Sequence, residues 1–164
     1  PEEVESPKST VILGESDWDS INIHNSIVAF ILEHGYGFGI EYVFNSEQAM
    51  ATALINGDID VVVEGRIEGI SEYEPAIADG TIVDVSPAND ILVNGDFAQR
   101  ERVAVIFLRR YKISADMTDD LLAYLKENEL EARDVYVYFL QEYESLWTQW
   151  VTVAVATKVR LALE

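Results

Sequence analysis

Asn56-Gly57-Asp58-Ile59-Asp60-Val61-Val62-Val63-Glu64 decides how this chain is read. Asn56-Gly57 stops the helical pattern of residues 47–55, because glycine adopts the left-handed backbone that closes a helix without steric cost. Asp58 turns the chain. Residues 59–63 then form a mostly apolar, β-branched run bounded by turn formers, the pattern of a buried strand. The strand hands Glu64, Gly65 and Arg66 to its C-terminal end. In open α/β sheets, ligands are held at the carboxyl ends of strands.

The same rhythm runs outward in both directions. Residues 11–14 read as a buried strand, and Ser16 or Asp17 can cap the helix that follows, with Asp19 in its first turn where the helix dipole favours an acid. Ile23, Ile27, Phe30, Ile31 and His34 recur at helical spacing until Gly35-Tyr36-Gly37 ends the helix. Residues 40–44 are a strand, Ser46 caps the next helix, residues 71–78 form a helix closed by Asp79-Gly80, and residues 82–83 are a short edge segment. This β-α-β-α-β order predicts a parallel sheet with right-handed crossovers. A turn-rich break at residues 86–90 precedes one more strand, 91–94. The remainder is helical, over about 97–111, 115–128, 132–142 and 145–163 with a break near Thr152. The expected fold is a single α/β domain of three layers, with a mostly parallel sheet of about four to five strands and a helical C-terminal segment.

Composition narrows the partners. The chain has 164 residues, 49% of them apolar, enough for one domain with a sizeable core. Thirty acidic against 11 basic residues give a net charge of -19, which repels nucleic acid and anionic membrane surfaces. It suits a cationic ligand, although most of the charge is read as a solvated acidic surface. There is no cysteine, hence no disulfide framework and no thiol chemistry. No apolar run is long enough to span a bilayer, and no signal peptide is recognised. Residues 1–9 are polar and charged and read as a flexible tether, leaving 10–164 as the folded unit.

Trp18, at the entrance of the first helix, can stack on a quaternary ammonium or simply pack against neighbouring loops. Backbone N–H groups at helix starts near Asp17 and Glu72 can hold a carboxylate, a weak signal because every α/β domain has such ends. His24 and His34 lack metal-ligand spacing; His24 is read as a polar contact beside Asn25 and His34 as a helix-end residue. No metal and no cofactor is expected. There is no G-x-S-x-G elbow, no P-loop and no G-x-G-x-x-G after a strand, so an enzyme is not expected. Trp147 and Trp150, three apart on a helix, read as core anchors.

Two blocks carry a resemblance. Val11-Ile12-Leu13-Gly14-Glu15-Ser16-Asp17-Trp18-Asp19-Ser20 and Gly57-Asp58-Ile59-Asp60-Val61 lie in residues 10–85; Ile91-Leu92-Val93-Asn94-Gly95-Asp96 and EYESLWTQWV at 142–151 lie in residues 90–164. Together they resemble the substrate-binding proteins of glycine betaine/choline ABC transporters. The resemblance implies one lobe of a type II periplasmic binding protein, osmoprotectant uptake, a permease partner and an extracytoplasmic place. It implies ligand contacts from Trp18, Asp17, Asp19, Glu64 and Arg66. The family inserts a second lobe between the blocks; here residues 86–89 span that gap, which leaves an open half-site. The family also tends to place an aromatic shortly after GDIDV, where this chain has Glu64-Gly65-Arg66, and Arg66 would repel a quaternary ammonium.

The C-terminal helices add a second reading. At about 100° per residue, Val155 and Val159 share one face of the last helix while Val153, Thr157 and Leu161 fall opposite. In the 97–111 helix, Ala104, Leu108 and Tyr111 form one stripe and Val103 and Ile106 lie across from it. A helix apolar on two faces asks for a partner, and a two-fold homodimer is the simplest. The expected function is therefore an isolated osmoprotectant-binding lobe with weak or lost ligand binding; the alternative is a truncated or engineered self-associating scaffold with no ligand.

Overall fold

The computed structural model describes residues 8–65, 67–86 and 89–164. Strand β1 (Lys8–Glu15) lies between β2 (Phe38–Phe44) and β3 (Val61–Val62) and runs parallel to both. Strand β5 (Ile91–Asn94) lies between β3 and β4 (Ile82–Ser86) and runs antiparallel to both, giving the order β2-β1-β3-β5-β4. The sheet is mixed, which corrects the mostly parallel expectation. A parallel neighbour needs a crossover of about a dozen residues or more, and the chain between Ser86 and Ile91 is far too short for one. Strand β1 also begins at Lys8, inside the stretch read as a tether.

Alternation along the strands sorts the core into two faces. Val11, Leu13, Val61, Val63, Ile91 and Val93 pack on one side, against the first helix and the C-terminal helices. Val62 and Leu92 pack on the other, with Met50, Leu54, Tyr73 and Ala76 of the two intervening helices. The molecule thus has three layers, helix, sheet and helix.

The 59–63 run pairs in the sheet only over Val61–Val62. Asp60 continues the pairing by other means: its Oδ2 accepts from Ile12 N, its own N–H donates to Ile12 O and its carbonyl accepts from Asn94 N, each at 2.9 Å. One buried acid therefore ties β1, β3 and β5 together. Burial raises its pKa, against the opposing pull of the Ile12 hydrogen bond.

Helix α1 (Asp19–Phe30) starts after Trp18, and Ser16 does not cap it; Ser16 Oγ instead accepts from Trp18 N at 3.2 Å, within the loop. A wider turn, Ile31–Gly35, continues α1, and Gly35 is pressed against the last helix: a Cβ there would meet Val155 Cγ1 at 2.8 Å. Helix α2 (Glu47–Asn56) is capped by Ser46 and closed by Gly57 at φ 84°, and α3 (Tyr73–Asp79) precedes β4. The helix expected over 97–111 is two, α4 (Gly95–Arg100) and α5 (Arg102–Arg110), broken at Glu101 with ψ 63°. Helices α6 (Ala115–Glu127), α7 (Tyr136–Glu142) and α8 (Glu144–Trp147) follow, and Thr152 caps α9 (Val153–Leu163). Trp147 and Trp150 are buried, and Trp147 Nε1 donates to Leu140 O at 2.8 Å. Among the described residues no helix is long and apolar enough to cross a membrane.

Candidate functional site

Beyond the carboxyl end of β3 the structure opens a cavity of about 480 Å³. Helix α1 contributes Ser20 and His24, one turn apart on the same face; β3 and its extension contribute Val63 and Glu64; the β4–β5 turn contributes Asn89 and Asp90. The opposite wall is the α5–α6 connection, Lys112 to Ala115, with Thr118, Asp119 and Leu122 of α6. Gly65 lets these parts approach. Its N–H donates to Asp90 O at 2.8 Å, and a Cβ in its place would lie 2.5 Å from Leu92 Cδ1.

The polar groups form a connected set. Ser20 Oγ donates to Glu64 Oε2 at 2.8 Å. His24 Nδ1 lies 2.7 Å from the Tyr111 hydroxyl, and its Nε2 lies 3.2 Å from Thr118 Oγ1. The Thr118 hydroxyl donates to Ser114 O at 3.1 Å, so the arrangement that satisfies every group has Nε2–H donating to Thr118 and Tyr111 donating to Nδ1. Nε2 is also 3.7 Å from Glu64 Oε1. That contact is not an ion pair at neutral pH, because burial lowers the His24 pKa to about 4 and holds the ring neutral. Tyr111 stays protonated: burial, and secondarily the charge of Glu64, push its pKa well up. Burial and then Glu68 raise the pKa of Asp90.

Of the described residues expected to touch a ligand, only Glu64 lines this cavity. Trp18 is 45% exposed, and it, Asp17 and Asp19 sit outside the cavity at the start of α1. Arg66 lies outside the described residues. His24, read as a polar contact next to Asn25, makes its contacts to Tyr111 and Thr118, while Asn25 donates to Gly14 O at 2.8 Å. Ser20, Asn89, Ser114 and Thr118 went unnoticed. Ser20 and His24 sit one turn apart on α1, but Asn22, Asn25 and Ser26 share that helix, so spacing alone did not single them out; Asn89 and Thr118 had no signal. Among the described residues no Phe, Tyr or Trp lines the cavity, and no group of three metal-capable side chains converges.

The outward residues expected at an oligomer contact are exposed on α5 and α9: Val103 47%, Ile106 49%, Val153 83% and Leu161 61%, with Thr157 beside them. Arg102, Arg109 and Arg110 share the exposed side of α5.

Residues 9–90 match the OpuAC family, described as the substrate binding domain of ABC-type glycine betaine transport system. No curated protein sequence matches the chain. Among solved structures, the fold is similar to an ABC-transporter choline binding protein in complex with choline, at TM-score 0.78 and 12% identity, over 94% of this chain and 98% of that chain. It is also similar to an ABC-transporter choline binding protein in an unliganded semi-closed conformation, at TM-score 0.69 and 11% identity over the same shares. At these identities the likeness speaks for the fold alone.

Proposed function

The chain belongs to the substrate-binding domain family of ABC-type glycine betaine transport systems, and from that premise we propose that it acts as a single lobe offering an open half-site for an osmoprotectant-type cation. The family is non-enzymatic: it holds and delivers a substrate, and works outside the cytoplasm with an ABC permease. The carrying observation is the cavity beyond β3, where Glu64 meets the α1 face and the α5–α6 wall. Residues 10–85 and 90–164 form the one lobe, joined through 86–89, and the cavity is partly open. An open, wet site weakens electrostatic and cation–π contacts alike. Calorimetric titration with glycine betaine and choline should give dissociation constants of about 1 mM or weaker, a binding free energy of about 4 kcal/mol. Micromolar binding by the lobe alone would overturn the open half-site.

A second reading is favoured by the aliphatic side chains exposed on α5 and α9. It makes the chain a self-associating unit, most simply a two-fold dimer. Placing α5 on its own copy would set Arg102, Arg109 and Arg110 against like charges, whereas on the α9 face of Val153, Thr157 and Leu161 the nearby Arg160 is paired with Glu144, so α9 is the better contact.

A further inference from the structure

Helix α5 carries a face unlike the rest of the surface. Arg102, Val103, Ile106, Arg109 and Arg110 are all exposed, and their spacing puts them on one side of the helix. Ala104, Phe107 and Leu108 are buried on the other side. Arg133 and Arg160 are paired with Glu15 and Glu144, but among the described residues no carboxylate pairs with Arg102, Arg109 or Arg110. In a chain with 30 acidic residues, these arginines around two exposed aliphatic side chains form a face that lacks its counterpart. At its N-terminal end the face runs into a groove of about 380 Å³, lined by Ser9 of β1, Phe38 of β2 and, beside the α4–α5 break, Arg100, Arg102 and Val103. The acid of the groove, Glu101, is engaged: it accepts from Ser9 Oγ and lies 3.9 Å from Arg100 Nε.

We propose that residues 1–7 of this chain, Pro-Glu-Glu-Val-Glu-Ser-Pro, dock across this groove and along the exposed face of α5 as an intramolecular acidic strap. The strap arises at the right place, because β1 starts at Lys8 and Ser9 lines the groove. It has the reach. Seven extended residues span at most about 25 Å, and the nine residues of α5 rise about 14 Å. It has the chemistry: Glu2, Glu3 and Glu5 with no Lys or Arg, and Val4 among them to meet Val103 and Ile106. A guanidinium can take a carboxylate with two parallel bonds. The net charge of -19 repels a free anionic partner and so favours one that is already attached. Exposed ion pairs are individually weak, but a short tether supplies a local concentration of about millimolar, so the strap holds the face for about half of the time or more. While docked it shields Val103 and Ile106 from a second copy and leaves α9 as the open aliphatic face. The inference is independent of the cavity beyond β3.

The test uses paramagnetic broadening in NMR spectra of the full chain. The chain has no cysteine, so Pro1→Cys places a nitroxide label at one position only. In the isotope-labelled chain at about 50 mM salt, the amides of Ile106, Arg109 and Arg110 should lose about half of their intensity or more. They should regain it at about 1 M salt, where the screening length falls to about 3 Å. Glu2→Lys with Glu3→Lys, and separately Arg109→Glu with Arg110→Glu, should each abolish the broadening; Arg109 and Arg110 are exposed, so their reversal leaves the core intact. Combining the two pairs exchanges the charges and should restore the broadening. Broadening that stops at Ser9 and the groove, that spreads evenly over the surface, or that no charge reversal changes would overturn the proposal. A mixture of spin-labelled chain without isotope and isotope-labelled chain without the nitroxide separates the copies. Broadening of the same amides in that mixture would assign the face to the strap of a second copy and overturn the intramolecular contact.

Discussion

Asp60 and Glu64 stand at opposite ends of the central strand and make opposite use of the same functional group. Asp60 is 6% exposed and finds its partners in the backbones of adjacent strands, where it replaces ladder bonds that β3 is too short to make. Glu64 is partly exposed and lines a cavity, where its Oε2 accepts from the Ser20 side chain at 2.8 Å. A carboxylate bonded to main chain serves the sheet, because losing it strands a buried N–H. A carboxylate bonded to a side chain at a strand's carboxyl end is held by a partner that can rearrange. The difference separates Asp60, held by main chain, from Glu64, the acid that the proposed half-site would use.

The sharpest way to probe the cavity end is acid. The folded His24 pKa of about 4 lies below the ordinary 6.5, so above 6.5 the ring is neutral in both folded and unfolded chains and costs nothing. Between 6.5 and 4 the unfolded chain takes up a proton that the folded chain refuses, and stability falls with pH, by about 3 kcal/mol in all. Urea midpoints of the natural chain and of His24→Gln should converge as pH drops through that window; parallel curves would break the assignment. Asp60 acts with the opposite sign. Its raised pKa makes the ionised form costly, so its contribution improves as pH falls toward 3.8.

Next in size is the strand-tying role. Asp60→Ala leaves Ile12 N–H buried without a partner and should cost about 1–3 kcal/mol, whereas Asp60→Asn keeps an acceptor and should recover most of that loss. Equal losses in chemical denaturation would mean that charge, not the hydrogen bond, holds the strands. Glu64→Gln, at the other end, should move stability by no more than about 0.5 kcal/mol, because the amide oxygen still accepts from Ser20. A loss matching that of Asp60→Ala would erase the distinction between the two acids. Smallest in stability is the double variant Val153→Ser with Leu161→Ser, which removes exposed side chains and should leave the denaturation midpoint unchanged while halving the molar mass read by light scattering. A monomer already present for the natural chain at about 10 µM would remove the self-association reading.

Much of the layered fold was legible because local rules decide it. Ser46 and Gly57 cap and close α2 by side chain and φ alone, and Val153, Thr157 and Leu161 separate from Val159 by helical geometry alone. The antiparallel β5 was legible too, had the short 86–91 connection been weighed against the crossover length. The cavity was not. His24 meets Tyr111 and Thr118 across separations of 87 and 94 residues, and no local pattern marks which polar residues of distant helices will converge. Trp18 drew attention through its chemistry, but its place at the start of α1 leaves it outside the space that Ser20, on the same helix, helps to line.

The placement of β5 also sets an order of assembly. It is the last strand in the chain and occupies an inner position, between β3 and β4. As the chain leaves the ribosome, β2, β1 and β3 can join, but β3 keeps an open hydrogen-bonding edge until residues 91–94 emerge. That edge is apolar on both faces, the kind that recruits foreign strands. Residues 91–94 close that edge, while the face of Val11, Leu13 and Val61 stays open until the C-terminal helices follow.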